Sequence, residues 1–311
     1  LDVLTVTPNP AVDDSIWYRR KGELNEILRE RREAGGKGIN VCRAVHGAGG
    51  RTGAIILAGP AGSDPFWNLV EPLPFSCLGA DLKRGAVRTN YTFVEEESGT
   101  VQKFNNPGPS VSAFEVEGLL ELLDSQLKVE PVVALCGSLP PGAPTDFYAR
   151  CIQLVQAQYG LDCALDTSGA PLAEAIKHAP FLIKPNLEEA RNLLSVMKGN
   201  SEGDPCRIAQ SLLDMGPRQV LLSLGGEGAV LATGDGTWKA SGPPVRVRNT
   251  VGCGDVLLGV YLHFQARVKP EEALRLAVGA AGIAAARDGS ADIGTPSRED
   301  MARGVNVERL W

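Results

Sequence analysis

Val132-Val133-Ala134-Leu135-Cys136-Gly137-Ser138-Leu139-Pro140-Pro141-Gly142 reads as a short apolar strand running straight into a glycine, serine and proline turn. A helix-like segment follows at 145–159, and a second apolar run, Asp162-Cys163-Ala164-Leu165, comes directly after it. The same rhythm extends in both directions. Apolar runs recur at 2–7, 52–57, 181–183 and 220–223, and helix-like segments lie at 40–46, 114–127, 171–178, 187–198 and 206–215. The C-terminal part from about 257 reads as largely helical, with 271–286 rich in Ala and Leu. Short apolar strands alternating with helices predict an α/β fold whose mostly parallel sheet is covered on both faces. The 36 Gly and 21 Pro, against 5% aromatics, suit short elements joined by tight loops.

Two segments break the rhythm. Residues 15–33 and 86–104 are polar and partly alternating, and they read as antiparallel strands outside the parallel core. They would form a small sheet over the C-terminal edge of the main sheet, where α/β proteins bind ligands. An ordinary edge hairpin would show the same pattern.

Composition narrows the function. The net charge of −6 speaks against a general nucleic-acid binder, and no apolar stretch approaches the roughly 20 residues that span a bilayer. The charge is uneven, because residues 19–51 hold nine Lys/Arg against four Asp/Glu. That segment is either a solvated basic face or a pocket for a small anion. Seven scattered cysteines with no C-x-x-C pair suit a reducing cytoplasm rather than a disulfide frame or a zinc site. His46, His178 and His263 have no ligand spacing and read as structural.

Three glycine loops carry candidate chemistry. Ala34-Gly35-Gly36-Lys37-Gly38-Ile39-Asn40 opens a helix with a lysine among glycines, but Gly38 stands where a Walker A loop needs Ser or Thr. Close backbone approach and a helix N-terminus would favour an anion there. The Gly137-Ser138 turn brings a hydroxyl and amides to a strand end. Asn249-Thr250-Val251-Gly252-Cys253-Gly254-Asp255 precedes an apolar helix, so its amides could stabilise developing negative charge while Asp255 accepts a proton. Alone, each loop also reads as a structural turn, and Asp255 as a favourable charge at a helix start.

In this order the pieces resemble the ribokinase-like superfamily of carbohydrate kinases (the PfkB family), and within it the phosphosugar branch. The resemblance runs nearly end to end. It includes Thr7-Pro8-Asn9-Pro10-Ala11-Val12-Asp13, the 35–40 loop, Arg88-Thr89-Asn90, the 137–142 turn, Lys184-Pro185-Asn186-Leu187-Glu188-Glu189, Ser223-Leu224-Gly225-Gly226-Glu227-Gly228 and the 250–255 loop.

The resemblance implies a three-layer αβα fold over 1–311, one kinase domain with lid segments at about 14–34 and 86–105. It implies that Asp13, Gly36, Gly38 and Asn40 hold sugar hydroxyls and that Lys37, Arg88, Asn90 and Ser138 grip the sugar's phosphate. Two cations, an amide and a hydroxyl are a sensible set for a dianion. Asn186 and Glu189 would organise Mg²⁺, through water. ATP would lie near Lys184, Ser223, Gly225, Gly228, Asn249 and Thr250. Asp255 would be the general base, and Gly252, Cys253 and Gly254 the anion hole.

The implied reaction is ATP-dependent phosphorylation of a ketohexose monophosphate, D-fructose 1-phosphate to fructose 1,6-bisphosphate. Tagatose 6-phosphate and fructose 6-phosphate are the alternative acceptors. A nucleoside or plain-sugar kinase of the same fold and a non-catalytic sugar-phosphate sensor are the more distant ones. A homodimer through the lid and a cytoplasmic location are further expectations, and a K⁺ requirement stays open. Three departures stand out: Cys253 in place of the family's usual Ala, Val256 where Ser is frequent, and a short 60–85 segment. In that segment Glu71-Pro72-Leu73-Pro74 should interrupt the expected helix.

Overall fold

Val3–Thr7 (β1) is buried along its whole length, as an apolar run must be when layers cover both of its faces. The computed structural model describes residues 1–22, 24–127, 131–199 and 202–310. Thr52–Ala58 (β4), Ser76–Asp81 (β5), Val132–Cys136 (β8), Cys163–Asp166 (β9), Leu182–Ile183 (β10) and Gln219–Ser223 (β11) join β1 in parallel. Ala229–Thr233 (β12), Gly236–Ser241 (β13) and Asn306–Arg309 (β14) extend the sheet in antiparallel fashion. The strand order is β14-β13-β12-β11-β10-β9-β8-β1-β4-β5. The C-terminal part is largely helical as expected, and β14 is the strand it adds to the sheet.

Side chains alternate between two cores because successive residues of a strand face opposite ways. Leu4, Val6, Val133, Leu135 and Leu165 pack beneath Ala113–Gln126 (α3), Phe147–Ile152 (α4), Gly169–Ala175 (α5), Leu187–Lys198 (α6) and Pro205–Leu213 (α7). Val3, Ala134, Cys136 and Ala164 pack beneath Lys37–Gly47 (α1), Cys253–Phe264 (α8), Pro270–Ala285 (α9) and Arg298–Ala302 (α10). This is the expected three-layer αβα arrangement. Helix α4 passes into a wide π-helical turn, Gln153–Gln158, whose Gln156 side chain bonds both Ala179 O and Phe181 N. The prolines act as expected: Phe66–Val70 (α2) has five residues, and the chain turns through 71–74 into β5. Among the described residues no helix is long and apolar enough to cross a membrane.

A separate sheet holds Ala11–Lys21 (β2), Leu24–Gly35 (β3), Arg88–Glu95 (β6) and Val101–Phe104 (β7), in the order β3-β2-β6-β7. Its two hairpins are antiparallel as expected, but the central β2–β6 pair is parallel. The reason is topological. Strands β2 and β6 follow the parallel strands β1 and β5, so both leave the C-terminal edge of the main sheet in the same direction.

Candidate active site

Helices α1 and α8 begin at that edge, and their first turns face each other. They come close because Gly259 has no side chain: a Cβ there would lie 2.7 Å from Val41 O. Asn40, in the first turn of α1, donates from Nδ2 to Asp255 Oδ2 at 2.9 Å across the helix pair. Both residues are buried, at 4% and 7% exposure. Burial, and next the Asp166 carboxylate, push the Asp255 carboxyl up to about 6, against the pull of Lys37, Lys184 and Asn40. A carboxyl raised in this way has the chemistry to accept a proton near neutral pH.

Gly252 caps α8 in a left-handed conformation (φ 80°), and no side chain takes up the first-turn amides. Any Cβ at Gly252 would also meet Ala291 at 2.9 Å. The loop is clamped there: Ala291 N bonds Val251 O, Asn249 Nδ2 bonds Asp288 O, and Asn249 Oδ1 accepts from Val251 N. Thr250 is exposed, and its carbonyl accepts from Cys253 N at 3.4 Å. Burial, with Asp255 adding to it, raises the Cys253 thiol above its usual range, so it stays protonated beside the site. Gly254 lies over Lys184, since a Cβ on it would sit 3.4 Å from Lys184 Nζ.

Asp166 links the two lysines. It ends β9 with no exposure, accepts from Lys37 Nζ at 2.7 Å, and has Lys184 Nζ 3.1 Å from its other oxygen. Lys184 thus pairs the Asp166 oxygen that Lys37 does not. Burial opposes its ionisation, but Lys184 and Lys37 hold its carboxyl below the usual range. Burial likewise works against the charge on Lys37, and the Asp166 and Asp255 carboxylates outweigh it. Among the described residues, Thr7 Oγ1 and Thr167 Oγ1 are buried without hydrogen-bond partners near these strand ends. Asp166 has no role in the sequence reading. Its signal was an acid closing an apolar run, but strand-end acids commonly serve only as caps or turns.

The remaining sugar-side residues are each engaged within the protein. Asp13 on β2 faces Asn90 on β6, and Asn90 Nδ2 donates to Asp13 Oδ1 at 3.1 Å. Burial raises the Asp13 pKa, against the pull of Asn90 and of Arg43. Arg88 reaches three backbone carbonyls, those of Pro10, Asn106 and Asn9, at 3.4, 2.6 and 3.1 Å. Ser138 Oγ accepts from Asn9 Nδ2 at 3.3 Å, and the same amide bonds Pro107 O. The four expected phosphate ligands are therefore not turned on one point: Lys37 lies with Asp166 and Asp255, while Arg88 and Ser138 gather around Asn9. Asn9 was in plain view beside Pro8, yet asparagine after proline reads as a turn residue. Gly36 caps α1 with φ 110°, and Gly38 lies so close to Thr7 Oγ1 that a side chain would overlap it.

On the other flank, Asn186 and Glu189 form a reciprocal cap on α6. Asn186 Oδ1 accepts from Glu189 N at 2.8 Å, and Glu189 Oε2 accepts from Asn186 N at 2.9 Å. Both line a groove of about 630 Å³ between α5 and α6 with Ser168, Gly169 and Asn192. Ser223, Gly225 and Gly228 lie on the neighbouring strand end and turn, with Ser223 N bonded to Pro185 O at 3.0 Å. Among the described residues no group of three or more His, Cys, Asp or Glu could hold a metal. The cap uses only one Glu189 oxygen. This donor set suits a cation carried chiefly by ligand phosphates and water, which is the habit of Mg²⁺. A proton acceptor, open amides and lysines at one edge equip the site to move an anionic group onto a hydroxyl.

The chain is similar to known proteins along most of its length. A 1-phosphofructokinase of Xanthomonas campestris pv. campestris is 32% identical over 269 residues, covering 83% of this chain and 82% of its own length. An ATP-dependent 6-phosphofructokinase isozyme 2 of Mycobacterium tuberculosis is 31% identical over 261 residues, covering 82% and 75%. The tetrameric inhibited form of phosphofructokinase-2 from Escherichia coli superposes with a TM-score of 0.86 at 27% identity, over 97% of this chain and 100% of that one. The model of the pfkB family carbohydrate kinases matches residues 5–298. The chain therefore belongs to the pfkB family of carbohydrate kinases.

Proposed function

We propose that this kinase transfers the γ-phosphoryl group of ATP to a hydroxyl of a ketohexose monophosphate, D-fructose 1-phosphate first, with Asp255 as general base. The observation that carries the reading is the buried Asp255 carboxylate. It is pushed up to about 6, fixed by Asn40, and flanked by Lys37 at the open start of α8. Such a group takes the proton of an attacking hydroxyl, while the amides of Gly252, Cys253 and Gly254 meet the charge of the transferring group.

Asp13, Gly36, Gly38, Asn40 and Asn90 hold the sugar. Lys37, Arg88 and Ser138 hold its phosphate once their contacts with Asp166, backbone carbonyls and Asn9 give way to it. ATP lies along Lys184, Asn186, Ser223, Gly225, Gly228, Asn249 and Thr250. Mg²⁺, when bound with the nucleotide, neutralises phosphate charge, and Glu189 and Asp166 are the carboxylates placed to hold its water shell. The small sheet acts as the lid of one kinase domain. Exposed Leu24, Ile27, Val101 and Phe104 on that sheet support closure by a second copy of the chain. Seven free thiols support a cytoplasmic setting.

The relatives' names divide between two sugar phosphates, and a ketofuranose carries a CH₂O group at each end, so one pocket can accept either. Side-by-side kcat/KM values on fructose 1-phosphate, fructose 6-phosphate and tagatose 6-phosphate, with adenosine and ribose as controls, test the assignment. The expected result is fructose 1-phosphate highest and both controls far below. A control exceeding every sugar phosphate would overturn the reading.

Glu189→Gln separates the two roles of that residue. Glutamine at the third helical position also completes a capping box, so the melting temperature should hold. One carboxylate charge is lost, so the Mg²⁺ concentration for half-maximal rate should rise and kcat should fall. An unchanged Mg²⁺ titration would leave Glu189 as a cap only.

A further inference from the structure

Asn40 and Arg43 lie three residues apart on α1, on one face of the helix. Arg43 Nη1 donates to Asn40 Oδ1 at 3.1 Å, and Asn40 Nδ2 donates to Asp255 Oδ2 at 2.9 Å. The order of these bonds is fixed by chemistry. A guanidinium can only donate, so the amide atom facing it must be the oxygen. The carboxylate of Asp255 can only accept, so the amide atom facing it must be the nitrogen. Both neighbours therefore dictate the same orientation of the Asn40 amide. Turned over, the amide would set its oxygen against a buried carboxylate.

Arg43 is otherwise uncommitted. Among the described residues no carboxylate lies within ion-pair distance of it, although Glu33 and Asp13 are near enough to favour its charge and Arg31 to oppose it. It lines a hollow of about 250 Å³ behind α1, with Arg31, Glu33, Ser290 and Asp292. A half-buried guanidinium without a carboxylate partner is costly, which argues that its contact with Asn40 has a use.

We propose that Arg43 is a positioning residue for the phosphoryl-transfer step: it locks the Asn40 amide so that Asn40 holds one oxygen of Asp255 and leaves the other for the acceptor hydroxyl. This deepens the proposed function and rests on Asp255 being the base. Arg43 touches neither substrate nor nucleotide in this reading, and it acts only through Asn40.

A double-mutant cycle on kcat tests it, with Arg43→Met, Asn40→Ala and both together, alongside Asp255→Asn. Misplacing a reacting group by about 1 Å can cost about 10²-fold, so Arg43→Met should lower kcat by about 10- to 100-fold. The KM for ATP should stay near the wild-type value. In the Asn40→Ala background the same change should cost less than about 3-fold, because its only route is gone. Arg43→Lys, which also can only donate, should recover most of the rate and guards against a folding defect in the Met variant. Additive losses in the cycle, with Asp255→Asn inactive, would overturn the role of Arg43 and leave the base assignment standing. Full turnover in Asp255→Asn would overturn both.

Discussion

Asp255→Asn is expected to lower kcat by about 10²–10⁴, the usual contribution of a positioned acid or base, while the protein folds and binds both substrates. Asparagine keeps the size of the side chain and can still accept from Asn40 Nδ2, so the α1–α8 contact survives. It cannot take up a proton at neutral pH. Replacing a buried carboxylate whose ionisation is opposed by burial and by Asp166 should leave the melting temperature unchanged or raise it. A residue that served only as a favourable charge at the helix start would behave in the opposite way. Its loss would cost up to about 1 kcal/mol of stability and leave turnover of the folded fraction intact. Measuring kcat on verified folded protein beside a thermal melt separates these outcomes, and a lowered melting point with near-normal kcat would refute the catalytic role.

Lys37→Met should have the second large effect. The Lys37 ammonium holds Asp166 at 2.7 Å and favours the ionised form of Asp255, so its removal acts on chemistry and on pH together. Losing a charge-assisted contact to a phosphate commonly costs about 2–5 kcal/mol, roughly 30-fold to several thousand-fold in kcat/KM for the sugar phosphate. Without Lys37 the Asp255 carboxyl rises further, because one of the two lysines that lower it is gone. The acid limb of the rate profile must then move to higher pH. The melting temperature should drop only modestly, since Lys184 still pairs Asp166 and the Lys37 side chain is 35% exposed. Wild-type kcat/KM with an unmoved limb would show that Lys37 serves the fold alone.

The layered core was legible because strands covered on both faces are mostly apolar, and β1, β4, β8, β9 and β11 are so apart from two threonines in β1 and polar residues at the ends of β4, β9 and β11. Strand β5, Ser-Cys-Leu-Gly-Ala-Asp, was not, because it lies at the sheet's edge, mostly exposed, and carries no alternation. The β12–β13 hairpin has an Asp235-Gly236 turn signal, but its alanines and threonines dilute the apolar run. Parallel pairing of β2 with β6 was beyond periodicity, which reports the faces of a strand and not its direction.

In the site, Asn40, Lys37 and Asp255 come from two glycine loops, and glycine before a helix is readable locally. Asp166, Asn9 and Arg43 were hidden for a common reason. Asp166 and Asn9 gain their meaning from partners far off in the chain, and Arg43 gains it through the bond of its neighbour Asn40 to the distant Asp255, while their local sequence reads as a strand end, a turn or a solvated helix charge. The Asn186–Glu189 spacing was read for its metal side alone, although the same spacing is the signature of a helix cap.

The central claim is that a buried carboxylate poised near neutrality removes the acceptor's proton. The pH dependence of kcat/KM for the sugar phosphate tests it most directly, since that ratio reports the ionisations of free enzyme and free substrate. Asp255 acts ionised, so the rate should be full above its pKa and fall about tenfold per unit below it, with the break near the value of about 6 set by burial and Asp166. Controls with a second substrate whose phosphate pKa differs separate enzyme from substrate ionisation, since only a substrate break would move with it. A break near 6 that is absent from the residual activity of Asp255→Asn is the predicted result. A profile flat from pH 8 down to pH 5, or the same break in Asp255→Asn, would contradict it.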